Sequence, residues 1–89
     1  MLRKFVFKAK KGLIRVKVDA NGTIHEIQIT GDFFIYPEEA LPLLEKKLIG
    51  TPYEKEEVKR AISSFVRENN VQMPFVTEED FVRAIMGES

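Results

Sequence analysis

An α+β fold, a three-stranded antiparallel β-meander followed by three helices packed on one sheet face, is predicted by three observations. From Phe5 to Ile29 apolar and polar residues alternate with a period of two. Hairpin signals at Lys11-Gly12 and Asn21-Gly22 cut that stretch into three segments. Beyond Pro37 the apolar spacing lengthens to three and four and does not return to two. Strands followed by helices, without βαβ alternation, describe an antiparallel sheet covered on one side.

The strands occupy about residues 2–31. Read as a two-residue type I′ turn, Asn21-Gly22 sets Val18 opposite His25, Lys17 opposite Glu26, Val16 opposite Ile27, Arg15 opposite Gln28 and Ile14 opposite Ile29. A turn at Lys11-Gly12 sets Ala9 opposite Ile14, Phe7 opposite Val16 and Phe5 opposite Val18. One face then gathers Phe5, Phe7, Ala9, Ile14, Val16, Val18, Ile27 and Ile29. The other carries Lys4, Lys8, Arg15, Lys17, Glu26 and Gln28, with Lys8 directly across from Arg15.

The first helix spans about 37–49, with Pro37 at its first position, Glu38 and Glu39 in its first turn, Leu41, Leu44 and Leu48 on one stripe and Gly50 just past its end. Pro42 fits that span only if the first turn is irregular or the helix starts near Leu41. Thr51-Pro52-Tyr53-Glu54 reads as a capping box opening a helix over about 52–69, with Val58, Ala61, Ile62, Phe65 and Val66 inward. Residues 71–76 are extended around Pro74, and Thr77 with Asp80 caps a helix over about 78–86.

The 89 residues amount to one domain, 1–89, with ordinary globular composition. The absence of Cys removes disulfides, thiol nucleophiles and iron–sulfur ligation, and a single His provides no metal cluster. No apolar run reaches the length of a membrane span, which points to a cytoplasmic protein without a membrane partner. The 14 basic and 14 acidic side chains balance. Yet residues 1–18 hold seven cations (Arg3, Lys4, Lys8, Lys10, Lys11, Arg15 and Lys17) and no acid. Such a layout faces something anionic, while overall neutrality argues against a dedicated nucleic-acid binder.

Catalytic constellations are not expected. The serines, Ser63, Ser64 and Ser89, have no histidine near in the pattern, His25 falls at a hairpin end, and no phosphate-binding glycine motif occurs. Glu38-Glu39, Glu56-Glu57 and Glu78-Glu79 each fit a helix first turn. The residues singled out are binding candidates. Lys8, Lys10, Lys11, Arg15 and Lys17 form a basic face that is either simply solvated or docks an acidic partner. Lys10-Lys11-Gly12 is a polar turn or a contact to an anion that a partner supplies. In Asp32-Phe33-Phe34-Ile35-Tyr36, four consecutive large apolar side chains cannot all face inward from extended backbone, so two emerge as anchors for a protein interface or tuck under the helices.

Lys11-Gly12-Leu13-Ile14-Arg15-Val16, Asn21-Gly22-Thr23-Ile24, Ile29-Thr30-Gly31-Asp32-Phe33-Phe34, Leu44-Glu45 and Leu48-Ile49-Gly50-Thr51-Pro52-Tyr53 resemble the C-terminal accessory domain of lipoate–protein ligases. The likeness is closest to the archaeal form, in which that domain is a separate small subunit. It implies a heterodimer with a catalytic subunit, ATP-dependent activation of lipoate to lipoyl-AMP, and lipoyl-domain proteins as acceptors. ATP with Mg, lipoate and the catalytic lysine then belong to the partner, and no catalytic or cofactor-binding residue is carried onto this chain. Pro42 departs from a region the family makes helical. The alternative is a small protein- or RNA-binding α+β scaffold; the RNA version needs aromatic rings on the open sheet face, whereas Phe5 and Phe7 fall on the core side.

Overall fold

In the computed structural model, which describes residues 1–88, β1 (Leu2–Ala9), β2 (Gly12–Asn21) and β3 (Thr23–Asp32) precede α1 (Ala40–Leu48), α2 (Lys55–Glu68) and α3 (Glu78–Met86). The sheet is antiparallel throughout, in the order β1-β2-β3. Its alternating apolar residues determine which face is covered. Ile14, Val16, Val18 and Ile29 are buried together with Leu44 and Leu48 of α1 and Phe81, Val82 and Ile85 of α3. α1 lies against β3 and α3 against β1 and β2, while α2 packs on α1 and α3 through Val58, Ile62 and Phe65.

Both hairpin registers differ from the sequence expectation by two residues. Val16 pairs with Ile29 and Val18 with Ile27, because β3 bulges beside Asp19/Ala20 and its tip narrows to Asn21 opposite Thr23. The bulge lets Ile24 and Ile27, three positions apart, both turn inward, and it leaves His25 and Glu26 exposed. Gly22 takes φ +80° and Asn21 does not turn left-handed, so no type I′ turn forms. The tip is instead held by the α1–α2 connection. The Ile24 N–H donates to the Thr51 carbonyl at 2.9 Å, the Gly50 N–H donates to the Ile24 carbonyl at 2.7 Å, and the Tyr53 N–H donates to the Gly22 carbonyl at 2.9 Å.

In the first hairpin the turn residues are Lys10 and Lys11, so Phe7 faces Ile14 and Phe5 faces Val16. Gly12 begins β2 where the chain passes close to β3: a Cβ there would stand 2.9 Å from the Asp32 carbonyl oxygen. The expected Lys8/Arg15 apposition is therefore replaced. Lys8 faces Leu13, Arg15 faces Val6, and the like-charged pair is Lys4 with Lys17.

The first two helices begin later than their sequence signals, whereas α3 spans the expected residues. α1 opens at Ala40, so Glu38 and Glu39 precede its first turn and Pro42 occupies the third helical position, where no intrahelical N–H bond is lost. The expected capping box at Thr51–Glu54 does not form, because that segment is a bent connection in which Pro52 bridges to Thr23 and the Glu54 N–H donates to the Pro52 carbonyl, and α2 starts at Lys55. The α3 cap does form: Asp80 N–H donates to Thr77 Oγ1, Thr77 N–H donates to the Asp80 carboxylate, and Gly87 closes the helix in the left-handed region.

Candidate partner-binding surface

The chain leaves β3 at Asp32 in extended conformation, and its side chains alternate as the pleat requires. Phe33 and Ile35 pack against the core, the Phe33 ring meeting Phe81 of α3 edge-on at 5.2 Å between centroids. Phe34 and Tyr36 point out, each 68% exposed. The segment is tied to the α2–α3 connection by reciprocal backbone bonds, Tyr36 N–H to the Gln72 carbonyl at 2.9 Å and Gln72 N–H to the Tyr36 carbonyl at 2.8 Å. That fastening places Phe75 beside Phe34, with ring centroids 6.1 Å apart. The Lys11 ammonium of the β1–β2 turn stands 5.7 Å from the Phe75 centroid. Three chain segments thus build one exposed aromatic patch with a cation at its margin.

The residues singled out by sequence fall into two groups. Phe34 and Tyr36 are in the patch, while Phe33 and Ile35 anchor it from beneath. Asp32 is exposed at the corner of the open sheet face, in the row Lys8–Leu13–Asp32. Lys8, Arg15 and Lys17 are exposed on that same face, and Lys10 with Lys11 forms the turn, so only Lys11 joins the aromatic group. Among the described residues none of these five cations makes an ion pair.

Phe75 escaped the sequence reading. Residues 71–76, expected to be extended around Pro74, instead turn at Pro74-Phe75, and that turn leaves Phe75 47% exposed while Val76 is buried. Two other residues that position the surface were also missed. Glu45 of α1 accepts the Ile29 N–H of edge strand β3 at 2.7 Å. Tyr53 donates its hydroxyl to the Ile85 carbonyl in the last turn of α3 at 2.6 Å, and burial raises its pKa above 10.0 against a smaller opposing pull from Arg3.

Ser63 donates to a Glu78 carboxylate oxygen at 2.6 Å, linking α2 to α3, while His25 is exposed at the bulge and Ser89 lies outside the described residues. No group of three or more His, Asp or Glu able to hold a metal occurs among the described residues. No helix there is long and apolar enough to cross a membrane. Phe5 and Phe7 lie on the helix-covered side, which leaves the open sheet face without the stacking rings that an RNA platform uses.

Comparison with known proteins gives a consistent answer. The family model described as bacterial lipoate protein ligase C-terminus matches residues 4–85. The chain is 44% identical over 80 residues to a protein named Lipoate-protein ligase A subunit 2 from Thermoplasma acidophilum, covering 89% of this chain and 82% of that one. It superposes with a TM-score of 0.87 and 41% identity on a chain of a solved archaeal lipoylation system from the same organism, described as a bi-partite lipoate protein ligase and its E2 lipoyl domain. That match spans 96% of this chain and 94% of the other.

Proposed function

The chain belongs to the family of lipoate protein ligase C-terminal domains, and we propose that it is the small subunit of a two-component lipoate–protein ligase, required with the catalytic subunit to activate lipoate to lipoyl-AMP. One observation carries this reading: a relative 44% identical, and similar to this chain over most of its own length, is itself a ligase subunit rather than a domain of a longer protein. ATP with Mg and lipoate are held by the catalytic subunit, the acceptor is a lipoyl-domain protein, and the heterodimer works in the cytoplasm. The aromatic patch of Phe34, Tyr36 and Phe75 is the centre of the subunit contact, since exposed rings fixed by a rigid backbone are effective interface anchors.

A subunit without catalytic groups promotes adenylation if it binds the activation-competent conformation of its partner better than the resting one. Moving that equilibrium from 1:99 to 99:1 takes about 10⁴-fold differential affinity, within reach of an interface of about 1,600 Å². The half-reactions test this. Lipoyl-AMP formation depends on this chain, whereas transfer from preformed lipoyl-AMP to the acceptor lysine depends on it much less. Neutralising Lys10 and Lys11 together slows adenylation modestly and lowers its salt dependence without abolishing the complex. A catalytic subunit that makes lipoyl-AMP equally fast alone would refute the activating role.

A further inference from the structure

The two edges of the sheet are treated differently. The β3 edge is closed by Glu45 at Ile29 and by Gly50 and Thr51 at Ile24. Two bonds settle which groups face outward on β1. Because the Ile29 N–H is directed to Glu45, the Val16–Ile29 pair exchanges no ladder bonds, and Val16 bonds to Phe5 across the other side. The Ala20 N–H bond to the Met1 carbonyl at 3.1 Å obeys the same parity. The main-chain N–H and C=O groups of Lys4, Val6 and Lys8 therefore line the outer edge, and among the described residues no backbone or side-chain partner meets them. Their side chains stand on the open face, with Val6 66% exposed between two lysines.

Charge identifies the occupant. None of the seven Lys and Arg side chains in residues 1–18 is paired with an acid among the described residues, whereas Lys47, Lys55 and Arg60 in the helical half are. A second copy of the chain is disfavoured, because antiparallel β1–β1 pairing sets Lys4 opposite Lys8 when centred on Val6 and diagonal to lysine when centred on Phe5. We propose that the β1 edge receives an extended segment of the catalytic subunit as a fourth strand, its acid–apolar–acid alternation lying beside Lys4, Val6 and Lys8. The inference rests on the small-subunit reading. It also continues the aromatic patch, since β1 runs directly into the turn whose Lys11 stands over Phe75.

Amide hydrogen exchange on this chain, free and bound to its catalytic subunit, tests the proposal. Lys4, Val6 and Lys8 gain about tenfold or more protection in the complex, while Phe5 and Phe7, already bonded to β2, change less. Val6→Pro removes an outward N–H without touching the β1–β2 ladder and weakens the complex about tenfold. Lys4→Glu with Lys8→Glu, a surface change that leaves the fold intact, weakens it by a similar factor, the loss shrinking as salt is added. A complex that forms with exchange at the three amides unchanged overturns the fourth strand and leaves the small-subunit reading standing. Failure of the two proteins to associate overturns both. A dimer of this chain alone, protected at those amides, would assign the edge to a second copy and overturn the proposal.

Discussion

Phe33 and Phe34 are adjacent residues of one extended segment with opposite surroundings, so truncating each should damage a different property. Phe34 is 68% exposed. A phenylalanine offers roughly 150–250 Å², so roughly 100–170 Å² of Phe34 is open to a partner, worth about 2.5–4 kcal/mol at about 25 cal/mol per Å². Alanine retains some of that contact, which leaves an expected loss of about 2–3 kcal/mol, or about 30- to 160-fold in the Kd for the catalytic subunit. The melting temperature of Phe34→Ala should stay close to wild type. Phe33→Ala reverses the pattern. It removes the edge-on contact with Phe81 and a partly buried ring, costing about 2–3 kcal/mol of stability, with little direct effect on the Kd measured well below the melting transition. Titration calorimetry and thermal melts on both variants read the two effects separately. A Phe34→Ala chain that binds within about threefold of wild type would show that the aromatic patch is not the subunit contact.

Substitutions at Gly31, Glu45 and Tyr53 probe the frame that holds the patch. Gly31→Ala places a Cβ against the Leu13 carbonyl oxygen at a φ of +146°, and thermal melts should show a loss of more than about 2 kcal/mol, where Gly22→Ala, with open space around it, costs less. Glu45→Leu orphans the Ile29 N–H; it should lower stability by about 1–3 kcal/mol and speed exchange at that amide, while Glu45→Gln, which keeps an acceptor oxygen, should recover most of the loss. Tyr53→Phe costs about 0.5–1.5 kcal/mol near neutral pH by freeing the Ile85 carbonyl. Because the folded pKa of Tyr53 lies above 10.0, its contribution is complete below that pH and is lost as pH rises through the folded value. Denaturant melts of wild type and Tyr53→Phe should therefore converge above about pH 10, and a gap that stays constant or widens there would contradict the burial of the hydroxyl.

The segment Phe33–Tyr36 was legible as a surface because alternation on extended backbone is a local rule, and it applies whatever the rest of the chain does. Which two rings would emerge was not legible, since that choice depends on Phe81 and Gln72, far along the sequence. The contribution of Phe75 needed the same long-range knowledge: its neighbour Phe34 lies 41 positions away. Lys11 was visible as a charge but not as the edge of an aromatic patch, because its position depends on the turn closing over Lys10-Lys11 rather than Lys11-Gly12.

The register errors explain why the predicted faces held even though the predicted partners did not. A one-residue slip would turn the whole apolar set of a strand toward water, at roughly 1.5–3 kcal/mol for each large side chain, whereas a two-residue slip preserves every facing. Burial therefore selects parity strongly and register weakly, and register is left to turn and tip contacts. At the first hairpin the two-residue Lys10-Lys11 turn allows Gly12 to approach Asp32. At the second, an isolated Asn-Gly turn would favour the tighter pairing. Here the tip is not isolated: the backbone bonds to Gly50, Thr51 and Tyr53, together with full burial of Ile24, outweigh that local preference. The same three bonds tie residues 50–53 to the hairpin tip and keep them out of a helix, so the mispredicted turn and the missing capping box have one cause. A local signal is overridden at both places because the segments that carry it are each other's hydrogen-bonding partners.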